Sequence, residues 1–261
     1  MSRPSADPSA VARAVQERLK RAIPEPRCEL DHRSPWELLV ATILSAQSTD
    51  ATVNKVTPEL FARWPTPLAL AEADPAEVEA VVRPTGFFRN KTRLIQGAAR
   101  TLVAEFGGKV PQTMDDLLRV PGVARKTANV VLGVAYRVAA GIVVDTHVQR
   151  VAERLGLSGE HDPAKVERDL CALFPRRVWI DISHRLLLHG RYVCTARQPA
   201  HEACCLFEVC PSAQGQPEGT WTARAAAEAA RLAAGAEDAG DGANARASPR
   251  RAAGARRARN S

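Results

Sequence analysis

No stretch of this chain is apolar for long enough to cross a bilayer, and its first twenty residues are polar and charged, without the apolar segment that directs secretion. Neither a membrane partner nor an export signal is expected, and the sequence reads as that of a cytoplasmic protein associated with the nucleoid. No run alternates apolar and polar residues over the length of a strand. The one β-branched cluster, Ile142, Val143 and Val144, is too short to argue a sheet. An all-α fold remains. Lysine is scarce as well: only six of the 36 basic side chains are lysines, so arginine fills most positions that ask for positive charge alone. The phosphate-loop spacing G-x-x-x-x-G-K-[ST] is missing too, since the segment from Gly122 to Thr127 lacks the glycine directly before Lys126.

What is present bounds the chain further. Its 261 residues are enough for one domain or two small ones, and 45% hydrophobic residues can build a sizeable core. A net charge of +7 and a pI near 9.4 fit a polyanionic partner. Four of the six cysteines crowd between Cys194 and Cys210, which points to a metal site and not to disulfides.

The stretch from Thr113 to Arg150 carries most of the functional signal. Thr113 caps a short helix with Asp115 and Asp116 in its first turn and an apolar side at Leu117, Leu118 and Val120. Pro121-Gly122 stops it, because proline cannot continue the hydrogen-bond ladder and glycine accepts angles other residues resist. A second helix starts near Arg125, with Ala128, Val131, Leu132 and Ala135 at helical spacing. A turn this tight leaves unpaired N–H groups at the start of the second helix, a seat for an anionic oxygen. The pattern is therefore either an ordinary pair of packed helices or a helix–hairpin–helix that grips a DNA phosphate through Gly122, Val123, Ala124, Arg125 and Thr127.

Lys126 favours the second alternative. A phosphate is served by either basic residue, but only a primary amine forms an imine with a sugar carbon. A lysine at a helix N-terminus in a chain so poor in lysine is a candidate nucleophile. An ordinary lysine amine titrates near ~10.4, so such a nucleophile has to lose its proton by desolvation in a closed complex or during catalysis. Asp145 follows the apolar run Gly141–Val144 and precedes a helical stretch. It suits an N-cap and a catalytic carboxylate, and the two roles are compatible.

The runs LLRVPGVARKTANVVLGVAY and VVDTHVQRVAERLGL resemble the endonuclease III family of DNA glycosylases. The resemblance covers about residues 10–210. It implies a bifunctional glycosylase and AP lyase that removes oxidised pyrimidines through a Schiff base on Lys126, assisted by Asp145, and nicks the strand by β-elimination. It implies that Gln47, at the polar end of a buried helix, fills the gap left by a flipped base. Phe87 falls at a second wedge position, where many relatives carry leucine. Lys91 is a further expected phosphate contact. The family hairpin usually reads P-G-V-G, and this chain has Ala124 at the second glycine; if that position needs a positive φ, alanine is strained there.

The family also has C-x6-C-x2-C-x5-C near its C-terminus, four thiolates on one [4Fe–4S] cluster. This chain has Cys194, His201, Cys204 and Cys210 at those places and an extra Cys205. The expected ligands are the three matching cysteines with His201 or Cys205 as the fourth. A Cys3His zinc site and a loop that folds without metal are the other readings. The cluster would hold a basic loop, including Arg191 and Arg197, against DNA.

The expected architecture has two lobes: a helical barrel over 30–138, and a second helical lobe made of 10–29 and 139–210 with the cluster loop. Residues 1–9 read as a disordered leader, and 211–261 as a disordered, basic, Ala/Arg-rich tail in which 221–234 form a transient helix. The expected partner is double-stranded DNA containing damaged bases or abasic sites, bound by a monomer. Two readings compete: a glycosylase of the same fold with mismatch or monofunctional chemistry, and a catalytically silent DNA-binding protein. The presence of Lys126, Asp145 and Gln47 together argues against the silent protein.

Overall fold

The computed structural model describes residues 7–213, and within them every regular element is a helix. The first helix, α1 (Pro8–Ala22), begins earlier than expected. Asp7 accepts the Ser9 N–H at 3.0 Å and Pro8, which has no donor to lose, takes the first helical position. The leader reading therefore fails at residues 7–9, and residues 1–6 lie outside the described residues. Val11, Val15 and Leu19 form the buried stripe of α1.

The chain then builds a separate core. Helix α2 (Pro35–Leu44) starts as its sequence dictates: Ser34 Oγ accepts the Glu37 N–H at 3.2 Å, and Glu37 Oε2 accepts the Arg33 N–H at 2.7 Å. From Leu38 to Leu44 every residue is buried, so this helix runs through the middle of its lobe. Around it lie α3 (Asp50–Arg63), α4 (Pro67–Glu72), α5 (Pro75–Val82), α6 (Phe88–Phe106), α7 (Met114–Leu118) and α8 (Arg125–Tyr136). Leu39, Leu44, Leu60, Ile95, Leu102 and Leu132 are among the residues that fill this first core.

A second core gathers α1 with α9 (Thr146–Arg154), α10 (Pro163–Leu173) and α11 (Trp179–Tyr192). Val15, Leu19, Val148, Leu170, Ile182 and Leu186 meet there. The short link before α9 contributes Ile142 and Val144 to it, so the cluster too short for a sheet works as an apolar anchor. Two arginines of α11 secure it, Arg185 to the end of α1 within the second core and Arg191 to the first core. Arg185 donates to the carbonyls of Ile23 and Pro24, and Arg191 is paired with Glu29 and, at 2.6 Å, with Asp50. The expected tail boundary at 211 also shifts. Ala213 is buried and Ser212 Oγ donates to the Arg154 carbonyl at 3.0 Å, so the packed chain continues to the end of the described residues. The proposed helix at 221–234 lies outside them.

Candidate active site and cysteine loop

The hairpin between α7 and α8 is built by its backbone. Gly122 has φ +80°, and a Cβ there would stand 3.2 Å from Leu94 Cβ and 3.4 Å from Ile43 Cγ2, so both angle and space demand glycine. Ala124 has φ −95° and ψ 172°, ordinary extended backbone. The departure from the second glycine therefore carries no strain. Val123 is buried and closes the turn with its N–H on the Val120 carbonyl at 3.1 Å.

Within α8 the Ala128 N–H is the first to close on the helix, bonding the Ala124 carbonyl at 2.9 Å. The N–H groups of Arg125, Lys126 and Thr127 precede the first intrahelical bond, and Ala124 has no side-chain oxygen to cap them. These donors suit a phosphate or carboxylate oxygen. Lys126 sits on this turn with its side chain exposed.

Asp145 caps α9, accepting the N–H groups of His147 and Val148 at 2.9 Å each. Both bonds fall on Oδ1, so the cap does not consume the second oxygen. The carboxylate is half-exposed.

Gln47 and Phe87 are two of the three non-glycine residues with positive φ among the described residues, at 53° and 47°. Each such conformation costs about 1–3 kcal/mol, and the surrounding structure has to impose it. Both side chains are exposed, Phe87 to 68%, an unusual place for so large an apolar ring. Its neighbour Phe88 packs against the first core and under the guanidinium of Arg83. Of two adjacent aromatics, one is core and the other stands out.

One expected phosphate contact, Lys91, is corrected, and the side chains of two other expected DNA contacts are engaged within the protein. Lys91 is 3% exposed, and its Nζ donates to the Thr85 carbonyl at 2.7 Å. Burial lowers its pKa. It stiffens the turn that presents Phe87. Arg191 is held in its pairing with Glu29 and Asp50; burial opposes its charge, but Asp50 outweighs that and raises its pKa. Arg125 offers its backbone N–H only, because its guanidinium forms a fork on Glu167 at 2.8 and 2.9 Å.

Glu167 was not singled out in the sequence. It is an acid of α10 beside buried Val166, one turn before Leu170, and its side chain is only 8% exposed. It also accepts from Asn129 Nδ2 at 3.0 Å. An acid on the buried side of a helical period was the available signal, but its partner lies 42 residues away.

In the loop after α11, Cys194, His201, Cys204 and Cys210 all line one cavity of about 190 Å³, with Val151 of α9 and Leu155 just past its end among the apolar walls. Cys205 does not line it; its carbonyl accepts from Arg18 of α1 at 3.2 Å. Burial first, then the neighbouring cysteines, pushes the Cys204 thiol up to about 12. Arg154 donates to Cys194 Sγ at 3.2 Å and to the carbonyls of Thr195 and Ala196. Among the described residues no three His, Cys, Asp or Glu side chains converge on one point, as a single ion requires. Three sulfurs and an imidazole nevertheless border one space, a donor set open to an iron–sulfur or a zinc centre.

The model of the HhH-GPD superfamily base excision DNA repair proteins matches residues 40–176. The chain is 55% identical to endonuclease III of Synechocystis sp. over 196 residues, 75% of this chain and 90% of the relative. It is 39% identical to endonuclease III of Escherichia coli K12 over 193 residues, 74% and 91% of the two chains. A solved structure of a trapped endonuclease III–DNA covalent intermediate superposes with a TM-score of 0.76 at 40% identity, covering 80% of this chain and 98% of that one. A thermostable thymine-DNA glycosylase at 21% identity, TM-score 0.71, shares the fold.

Proposed function

This chain belongs to the HhH-GPD superfamily and, within it, to the endonuclease III family of base excision repair DNA glycosylases with AP lyase activity, and we propose that Lys126 and Asp145 carry both reactions on oxidised pyrimidines. The observation that carries this reading is the exposed primary amine of Lys126 on a helical turn whose N–H groups have no cap. Those N–H groups bind a backbone phosphate and bring the amine to the sugar. The damaged nucleotide is flipped out. Gln47 and Phe87, exposed in conformations the fold imposes, fill the space it vacates and offset part of the unstacking cost.

The neutral amine of Lys126 attacks C1′ of the deoxyribose. The C1′–N bond breaks, and the base leaves with the electron pair and is protonated. The Asp145 carboxylate stabilises the positive charge that develops on the sugar and assists proton movement. Ring opening gives an imine between Nζ and C1′. Loss of the C2′ proton then expels the 3′-phosphate, which nicks the strand, and water releases the lysine. The reading extends to a monomer acting on chromosomal DNA in the cytoplasm.

Endonuclease III proteins generally carry a [4Fe–4S] cluster. Here Cys194, Cys204 and Cys210 would hold it, with His201 as the fourth ligand in preference to Cys205, because His201 lines the same cavity and Cys205 does not. The role is structural, anchoring the loop on α9. The 14N hyperfine coupling of a ligated imidazole in the electron paramagnetic resonance of the reduced cluster tests it. Loss of that coupling in His201→Cys with iron retained supports the ligand; coupling absent from the wild type sinks it.

The reaction is tested by borohydride trapping on a duplex containing thymine glycol. A covalent adduct is expected with the wild type and none with Lys126→Gln. Base release without an adduct would mean a monofunctional enzyme using water. Duplex binding with neither adduct nor release would favour another lesion or the silent DNA-binding protein.

A further inference from the structure

Lys126 and Asp145 come from different cores. Lys126 stands on α8 in the first, while Asp145 begins α9 in the second, reached through the link at Gly141–Val144. Their separation is thus a property of how α8, the link and α10 are held together.

One side chain touches all three. Glu167 of α10 takes the guanidinium of Arg125, the residue before Lys126, in a two-point fork. It accepts from Asn129, one turn further along α8, whose Oδ1 is buried with no partner among the described residues. It also lies directly against the link. A Cβ on Gly141 would fall 2.0 Å from Glu167 Oε1 and 2.9 Å from Asn129 Nδ2, so only glycine lets the backbone run past the carboxylate. Four residues later the chain reaches Asp145. The Glu167 side chain is almost wholly buried, so its charge is matched inside the protein and not by solvent or DNA. A two-point fork also fixes orientation, which a single ion contact does not.

We propose that Glu167 is a positioning residue for the reaction: its carboxylate references the Lys126 turn and the Asp145 link to one buried point and so sets the gap between amine and carboxylate. The inference rests on the roles proposed above for Lys126 and Asp145. Removing this reference displaces the reacting groups without removing any group that touches DNA. Displacements on the order of 1 Å cost up to roughly 100-fold in rate.

The test compares the full chain with Glu167→Gln, Gly141→Ala and, as a control on the same helix, Asp169→Asn, which loses the charge that pairs with Arg168 and accepts from Ser158. Glutamine keeps the shape of the side chain and discards its charge. Alanine at 141 leaves Glu167 chemically intact and pushes it out of place. Single-turnover rates of borohydride-trappable adduct are measured with enzyme in excess on an abasic duplex, alongside duplex Kd and thermal unfolding. Glu167→Gln and Gly141→Ala should each slow adduct formation about 10- to 100-fold with Kd within about threefold of wild type. Asp169→Asn should lower Tm and leave the rate unchanged. Wild-type rates in folded Glu167→Gln overturn the proposal, as does rate loss in Asp169→Asn that tracks its stability. No adduct from the wild type itself overturns the Lys126 reading, and this one with it.

Discussion

Asp145 holds α9 by its N-cap bonds and is assigned the charge work of catalysis, and the two roles separate cleanly in a pair of substitutions. Asp145→Asn keeps a carbonyl oxygen where Oδ1 accepts the His147 and Val148 N–H groups, so the cap survives. What it loses is the anion at the positive end of the helix dipole, worth about 0.3–1 kcal/mol and toward the lower end for a half-exposed group. Asp145→Ala loses the cap too, at about 1 kcal/mol more, within a range of roughly 0.5–2. In a domain of this size 1 kcal/mol corresponds to about 2–4 °C in Tm. The expected order in thermal unfolding is therefore wild type, then Asn within a degree or two, then Ala several degrees lower. Activity should not follow that order. If the carboxylate stabilises the charge developing on the sugar, both variants lose it equally, and single-turnover base release should fall by roughly 10²–10⁴ in each. Near-wild-type turnover in Asp145→Asn, with a loss in Asp145→Ala that follows its stability, would refute the catalytic role and leave Asp145 as a cap alone.

Ala124→Gly should bring no gain in DNA affinity, because φ at 124 is already ordinary; it should cost about 0.4–1 kcal/mol through the freer unfolded chain, read as a small drop in Tm. Lys91→Met should leave the salt dependence of duplex binding unchanged, since no phosphate contact is lost, yet destabilise by about 1–3 kcal/mol as the Thr85 carbonyl loses its donor. A shallower salt slope in that variant would restore Lys91 as a DNA ligand. Burial, assisted by Arg137 and opposed by Asp181, holds the His184 imidazole below its ordinary pKa of about 6.5. The unfolded chain therefore binds the extra proton first as pH falls. The contribution of neutral His184 is fully present above about 6.5 and is lost as pH drops toward its folded value, so urea midpoints should decline between pH 7 and 5 and decline less in His184→Gln.

The parts of this molecule that could be read from sequence are those whose cause is local. Ser34, Pro35 and Glu37 announce a helix start within four residues, and the atoms that satisfy it lie between Arg33 and Glu37. Pro121-Gly122 announces the hairpin in the same way, though only the structure shows Gly122 pressed against Leu94 and Ile43 as well as turned to positive φ. The fate of Ala124 depended on one dihedral angle that no composition or spacing contains. Phe87 and Phe88 are identical in sequence terms, and which of them stands out is decided by the left-handed turn at 87. Charge was the least legible property of all. Lys91, Arg125 and Arg191 look like DNA ligands in a chain of net positive charge, and each is spent inside the protein on a carbonyl or a carboxylate.

That internal use of charge explains why the site depends on residues its motif does not contain. A phosphate-binding hairpin needs backbone donors at a helix N-terminus, and α8 has them because Ala124 provides no cap. The guanidinium of Arg125, left free beside those donors, would hold a second phosphate or swing across the approach to Lys126. Glu167 removes that freedom, and Gly141 makes the room for it to do so. An acid 42 positions from the arginine and a glycine four before Asp145 thus act on the same geometry as the hairpin itself. Sequence motifs report the atoms that meet DNA. On this proposal the distance between Lys126 and Asp145 is set by a carboxylate buried within the protein.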